Sequence, residues 1–409
     1  MRKIASILLG SGFSIPERLP SVKDLNRRLA KISSDEVYIH SDMQAFFINE
    51  EQNTAFRVRS DEHTFIQYFL EFYNSRILRT DEAFDYERFY DFFSLYLNNN
   101  ANASEIDTFC QEFEEKHEFR NSTDLHNSSY NRISSFRRSF NQLLAQQLHK
   151  PEYFNESTTS SFGNHGGFWV YLRELLKSHD IKVHSLNHDL FFEWVGNSHP
   201  DFFSHFSDGF EYPGSPFYGT LYEKKNIGGI DIHKEYKVKL AYFSGRFNTP
   251  LSLYKLHGSI FNHIVYTDDQ KRVRVRKDYG VDRLFMEAKD LSTGNYSFVG
   301  VLDEVDPDFL SGSTNKMIYY SGDSFYKSLL DHFEKNLLAS ESLLVIGYGF
   351  NDQGINEYLE KYYLKQGKKM IIIDPGNPNP DFLNSYNAEL IQQDINKVSY
   401  EIFEQLLAK

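Results

Sequence analysis

A chain of 409 residues that is 40% hydrophobic and 16% aromatic is too apolar to be disordered and too long for one compact core, so a large α/β core with a second, smaller unit is expected. The formal net charge of −13 disfavours a polyanion as main partner, and direct nucleic-acid binding is not expected. One cysteine, Cys110, excludes an intrachain disulfide and a cysteine-based zinc site, and no stretch approaches the ~20 apolar residues of a membrane span, so a soluble, cytoplasmic protein is expected.

The apolar run Ile4–Leu9 is too short for a signal peptide and passes straight into Gly10-Ser11-Gly12-Phe13-Ser14. With Pro20-Ser21 and the helical spacing Val22, Leu25, Leu29 behind it, this reads as strand, glycine turn and helix. From about residue 40 to 160, aromatic residues at helical spacing, such as Phe65, Tyr68, Phe69, Phe72 and Tyr73, predict an inserted helical unit within a domain made of residues 1–39 and 161–409. Its aromatic residues fit either a core or an oligomer or partner contact.

Beyond it, Val170, Leu172, Leu175 and Leu176 predict a helix leading into a strand Ile181–Leu186, and Leu253–Leu256 reads as the next core strand. The stretches Asn197–Pro250 and Asn262–Tyr320 read as loops and short hairpins able to wall a cleft. Within the second, Arg272, Arg274 and Arg276 alternate with Val273 and Val275, the period of an exposed hairpin edge. A helix Tyr326–Leu338, a strand Ser342–Ile346, the turn Gly347-Tyr348-Gly349, a helix Ile355–Tyr363 and a strand Met370–Ile373 complete the pattern. Such alternation predicts a Rossmann-like, doubly wound, mostly parallel sheet with an inserted helical subdomain.

Five segments can carry chemistry. The turn at Gly10, Ser11, Gly12 and Ser14 suits pyrophosphate, because glycine lets backbone approach an anion and a helix N-terminus offers free N–H groups; it is equally a tight strand-to-helix turn. Asn187 and Asp189 in Ser185-Leu186-Asn187-His188-Asp189 follow a buried strand and are either ligand-facing or a helix cap. His257, in Lys255-Leu256-His257-Gly258-Ser259, can act as a general base, with Gly258 leaving room for a ligand, or be structural. Gly347-Tyr348-Gly349-Phe350-Asn351-Asp352 is another strand-turn-helix junction, and Asp374 can hold ribose hydroxyls or begin the turn Asp374-Pro375-Gly376-Asn377.

Taken in order, GSGFS at Gly10, LPS at Leu19, SLNHD at Ser185, KLHGS at Lys255 and IGYGFND at Ile346 resemble the sirtuin-like NAD-hydrolase family of bacterial anti-phage systems. Ser11, Ser185, His188 and Gly349 depart from the usual residues without removing required chemistry. Pro20 is followed by Ser21-Val22-Lys23, not by an acidic-aromatic-arginine run, and with one cysteine this disfavours protein deacylation.

The resemblance implies that NAD is the substrate, with its pyrophosphate on the turn Gly10–Ser14, Phe13 included, its adenosine end near Gly347, Tyr348 and Asp374, and its nicotinamide near Asn187 and Asp189. Asn187 would stabilise the positive ribose or position the attacking water, His257 would accept a proton from water or from a ribose hydroxyl, and water would give ADP-ribose, depleting NAD as anti-phage defence; no metal is expected. It further implies a homo-oligomer and pairing with a HerA-type ATPase. The alternatives are a non-catalytic NAD- or nucleotide-binding assembly module, or a protein deacylase or ADP-ribosyltransferase.

Overall fold

The computed structural model describes residues 2–39, 45–48, 61–79, 81–117, 128–149, 165–199, 206–227, 230–267, 271–277, 281–289, 292–303, 306–312, 314–376 and 378–407. The expected limits of the helical unit, at 40 and 160, and Asn377 of the late turn lie outside them.

The centre is a seven-stranded parallel sheet made of β1 (Lys3–Leu9), β2 (His179–Ser185), β3 (Phe206–Ser207), β4 (Leu251–Lys255), β5 (Ser342–Ile346), β6 (Met370–Ile373) and β7 (Ala388–Ile391), in spatial order β7-β6-β5-β1-β2-β4-β3. The strands are short runs of β-branched and aliphatic residues because both faces are covered. Along β1, Ala5, Ile7 and Leu9 enter one core while Leu8 enters the other, and Leu343 and Val345 of β5 oppose Leu344 and Ile346 in the same way. This two-residue alternation builds a three-layer, doubly wound α/β domain.

Among the described residues the helices of eight or more residues are α1 (Val22–Leu29), α2 (Asp61–Phe72), α3 (Tyr86–Asn99), α4 (Ala103–His117), α5 (Ser129–Leu148), α6 (Gly166–Leu175), α7 (Phe191–Ser198), α8 (Thr314–Gly322), α9 (Ser324–Ala339), α10 (Gln353–Tyr362) and α11 (Tyr400–Leu407). One sheet face packs on α6, α7 and α11 through Phe168, Trp169, Leu172, Phe191 and Phe403; the other packs on α9 and α10 through Tyr326, Leu330, Phe333, Ile355 and Leu359. Helices α2 to α5 form a third core in which Phe65, Phe69, Phe89, Phe93 and Phe140 pack around one another and Phe136, with edge-to-face and stacked ring contacts. These aromatic side chains are buried in that core and are not a contact surface. Leu25 and Leu29 of α1, and Leu190, Ile260 and Phe309 beside the sheet's loops, join the same cluster, so the bundle is seated directly on the carboxyl edge of the sheet.

Two expectations are corrected. The stretches between 197 and 320 are not mainly loops: they form two antiparallel sheets, including the paired strands Phe217–Ile227 and Ile230–Lys239. Nor is Arg272–Arg276 an exposed edge, for it lies between Asn262–Tyr266 and Ala241–Arg246, with Arg274 buried and donating to Asp308 and Asp323 at 2.9 and 2.6 Å. The alternation was correctly periodic, but the charged face meets carboxylates from neighbouring segments instead of water.

The β1 and β5 turns touch backbone to backbone. Gly10 donates to the Ile346 carbonyl at 2.9 Å and Gly12 to that of Gly347 at 3.0 Å, while Gly347 has φ +62°. A Cβ on Gly10 would lie 2.5 Å from the Gly347 carbonyl oxygen. Gly10→Ala is therefore expected to destabilise the fold by about 1–3 kcal/mol, since backbone must move. Gly166→Ala, at the start of α6 with open space around it, should be neutral or stabilising. Urea unfolding of the two variants checks this, and equal effects would contradict it.

His184 of β2 is fully buried between Tyr254 and Phe333, with ring centroids 5.0 and 4.6 Å away, and among the described residues neither ring nitrogen has a hydrogen-bond partner. Burial, and then the Lys182 and His332 charges, hold its pKa well below the usual imidazole value. The unfolded chain therefore takes up a proton that the folded chain refuses, so this contribution to stability is complete above about pH 6.5 and declines as pH falls, by up to roughly 1.4 kcal/mol per pH unit. Replacing His184 by Phe should make the loss of melting temperature between about pH 7.5 and about pH 5.5 smaller than in the parent chain. An unchanged pH dependence would contradict this reading.

Candidate active site

The winding of the sheet reverses beside β1: β2, β4 and β3 lie on one side, and β5, β6 and β7 on the other. Backbone loops diverge at such a point, and ligands of open α/β sheets sit in the resulting crevice at the carboxyl ends. Register makes those ends level, since Leu9 pairs with both Ile346 and Ser185, and Ser185 with Lys255. A cavity of about 780 Å³ opens there, within the ~300–1,000 Å³ of small-ligand clefts. Its floor holds Gly10, Ser11, Ser14, Asn187, Asp189, His257, Gly347 and Tyr348; its roof comes from α1, from Asp85–Arg88 at the start of α3, from Leu148, and from Lys316 of α8. Of the two long stretches expected to wall a cleft, Lys316 is the contribution among the described residues.

Asn187 donates from Nδ2 to the Gly10 carbonyl at 2.9 Å and to Ser14 Oγ at 3.1 Å. Both amide protons are used, leaving Oδ1 as its acceptor. The β1 turn is in turn held from below by the buried His165, whose Nε2 donates to the Phe13 carbonyl at 2.7 Å and whose Nδ1 lies 3.2 Å from Glu17 Oε1. Phe13 packs among His165, Phe168, Trp169 and Phe191, away from the cavity. Gly12 is likewise absent from the cavity lining, and the N–H groups of Gly10, Gly12, Phe13 and Ser14 are already bonded within the two turns. The glycines are thus required by the contact between turns.

Asp189 Oδ1 accepts from Phe191 N at 2.9 Å, capping the start of α7, while the residue still borders the cavity. Lys255 supports this loop from beneath, donating to the Asp189 carbonyl and pairing with the partly exposed Glu193 at 3.2 Å.

His257 is buried, and its Nε2 lies 3.3 Å from Asp352 Oδ2. Asp352 caps α10 through Oδ1 to Ile355 N at 3.1 Å, and its Oδ2 also lies 3.6 Å from Lys316 Nζ; Lys316 pairs onward with Glu87 of α3 at 3.1 Å. Burial and then the Lys316 charge lower the His257 pKa, against the opposing pull of Asp352 and Glu87. Burial alone would raise Asp352, but the contact with His257, the Lys316 charge and the Ile355 N–H outweigh it and hold the carboxyl well below the usual range. His188, also buried at the cavity, is lowered by burial and by the neighbouring His257, Lys316 and Lys255.

Two expected ligand positions take other roles. Gly258 has φ +78°, and a Cβ there would meet the Asp308 carbonyl at 2.5 Å, so glycine allows close passage of the 308–310 segment, which is bonded to the turn by Leu310 N to the His257 carbonyl. It does not line the cavity. Asp374 ends β6, one strand beyond β5, and lies outside the cavity lining; its Oδ1 accepts from Gly376 N at 2.8 Å, the turn reading of this residue. Conversely, Glu87, Lys316 and the role of Asp352 were not assigned from sequence. Asp352 carried a legible signal, an Asp directly before a helix, whereas Glu87 and Lys316 meet across 229 residues with no local pattern to mark them.

Among the described residues, no group of three or more His, Cys, Asp or Glu side chains is arranged to hold a metal ion, and no helix is long and apolar enough to cross a membrane. Comparison with known proteins adds the following. Residues 246–391 match the family described as SIR2-like domain, a segment that includes His257, Lys316 and Asp352 but neither the Gly10 turn nor Asn187. No curated protein matches the chain. Among solved structures, the chain is similar to a Sir2 homologue in complex with NAD (10% identity, 100% of this chain and 90% of that chain covered, TM-score 0.37) and to a mutant Sir2 homologue in complex with 2'-O-acetyl ADP ribose (10%, 100% and 93%, 0.38). The SIR2-like match is confined to residues 246–391, less than half of the chain.

Proposed function

We propose that the chain binds NAD in the cleft beside β1 and hydrolyses its nicotinamide–ribose bond, giving nicotinamide and ADP-ribose. The observation that carries this reading is that Asn187 and His257, from loops 70 residues apart, border one cavity, the amide fixed with Oδ1 as its acceptor and the imidazole lowered into its neutral form. The SIR2-like match over residues 246–391 supports the same class of chemistry.

Cleavage sends the bonding electron pair to the pyridinium nitrogen, which becomes neutral, and leaves positive charge on the ribose. A preorganised carbonyl dipole stabilises that charge without reorganising, and Asn187 Oδ1 takes this role. Water then attacks the ribose carbon and loses a proton to His257. Because Nε2 faces Asp352, a neutral imidazole keeping its proton there presents Nδ1 as the base. Ser11, whose N–H makes none of the backbone bonds that engage Gly10, Gly12, Phe13 and Ser14, is the donor assigned to the pyrophosphate. Asp189 shapes the nicotinamide end while capping α7. Gly347 and Tyr348, which line the cavity, are assigned to the adenosine side. The motif resemblance extends the reading to NAD depletion as an antiviral response, in a homo-oligomer restrained or triggered by a HerA-type ATPase.

Purified chain incubated with NAD and no acyl peptide, with and without a co-expressed ATPase partner, should release nicotinamide in step with ADP-ribose. Asn187→Ala and His257→Ala should each lose about 10²–10⁴-fold in rate. Full activity in both variants would refute the site assignment, and nicotinamide release that requires an acyl peptide would replace hydrolysis with deacylation.

A further inference from the structure

We propose that Lys316 is a positioning residue of this site, whose ammonium, gripped by Glu87 of the helical bundle and Asp352 of the β5 turn, couples the seating of the bundle to the acid–base behaviour of His257. The inference rests on the hydrolase reading of the site and adds a residue, and a physical link, that the motifs do not contain.

The position of Lys316 is costly on three counts. The side chain is 7% exposed, so its ammonium is largely stripped of water. It lies in the first turn of α8, where the helix dipole disfavours a cation. Its four-carbon stem also surrenders rotamer freedom. Two carboxylates offset this, Glu87 Oε1 at 3.1 Å and Asp352 Oδ2 at 3.6 Å, and they come from different structural units. Glu87 stands in the first turn of α3, whose N-cap is Asp85 and whose Tyr86 N–H is accepted by Asn26 of α1; Asp352 caps α10 beside the glycine turn. The outcome is one buried chain of contacts, Glu87 to Lys316 to Asp352 to His257, crossing the cavity from roof to floor.

The groups facing His257 from each packed element are Asp352 before α10, Lys316 and Tyr320 of α8, Glu87 of α3 and His188 after β2. Lys316 is the sole cation among them that stays charged near neutral pH, since burial holds His188 neutral and the two carboxylates raise the Lys316 pKa above its usual value despite its burial. It therefore opposes protonation of His257, whereas Glu87 favours it. A bundle seated so that Glu87 meets Lys316 sets this balance; a bundle displaced from the cleft would leave Lys316 to Asp352 alone.

The direct test follows the imidazole itself. Full-length chain with isotopically labelled histidine is titrated by NMR, with His257→Gln used to assign the signal, alongside the pH profile of nicotinamide release. Lys316→Met should move the His257 titration, and the acid limb of the rate profile, upward by about one pH unit or more, and Lys316→Arg should restore much of the parent behaviour. Glu87→Gln should move both downward. If Lys316→Met does not fold, Glu87→Gln alone decides, because its expected shift has the opposite sign to a general loosening of the site, which would let water in and raise the value. An imidazole titration unmoved in folded Lys316→Met, or in Glu87→Gln, overturns the proposal. Imidazole shifts of the expected signs in a chain that releases no nicotinamide under any condition would uphold the coupling and reject the hydrolase reading.

Discussion

The site depends on the contact between two glycine turns. Where β1 and β5 end at the same level, Gly10 and Gly12 donate to the Ile346 and Gly347 carbonyls, and no side chain fits between them. The contact fixes the direction in which Ser11 and Ser14 leave β1 and in which Tyr348 and Asp352 leave β5. Asn187 is then locked by the carbonyl of Gly10 and the hydroxyl of Ser14, and His257 is met by the carboxylate of Asp352. Each turn thus orients one of the two polar groups proposed to act on substrate. Backbone contact of this kind is stiff, which suits a site whose chemistry depends on dipoles that are already aligned.

Around this frame the protein buries charge instead of excluding it. Lys255 pairs with Glu193 under the floor, Arg274 with Asp308 and Asp323 at the flank, and Lys316 with Glu87 and Asp352 across the cavity. Buried ion pairs contribute little net stability relative to apolar packing, since desolvation offsets most of their attraction. Their value lies in position: each joins segments far apart in sequence at a defined geometry. Meanwhile the apolar clusters supply the cohesion, two on the faces of the sheet, a third inside the bundle seated on its edge, and a smaller fourth in the antiparallel sheets.

Much of the sheet was legible because its signals are local. Apolar runs ending in Gly10-Ser11-Gly12 and Gly347-Tyr348-Gly349 mark parallel strands that feed turns, and the alternation with helices fixes the fold class. The candidate residues Asn187 and His257, which border one cavity, were legible because they sit directly after such runs. What sequence could not show was which of several equal roles a residue adopts. Gly12 and Gly258 look like room for a ligand but admit neighbouring backbone, and Asp374, which can hold a ribose, turns a chain one strand too far from the cavity. Arg274 looks like one of three surface charges but is buried, because its partners Asp308 and Asp323 are supplied by segments that no local pattern relates to it. Glu87 and Lys316 escaped for the same reason, being paired only by the docking of the bundle.

The central claim is geometric: one dinucleotide spans the crevice beside β1, with its nicotinamide-bearing ribose between Asn187 and His257. A crystal structure of the chain soaked or grown with NAD measures this directly. The account predicts pyrophosphate density against Ser11 and Ser14 and a ribose carbon facing both Asn187 Oδ1 and the His257 imidazole. Density for NAD at any other place, or a ribose lying away from those two side chains, would contradict it.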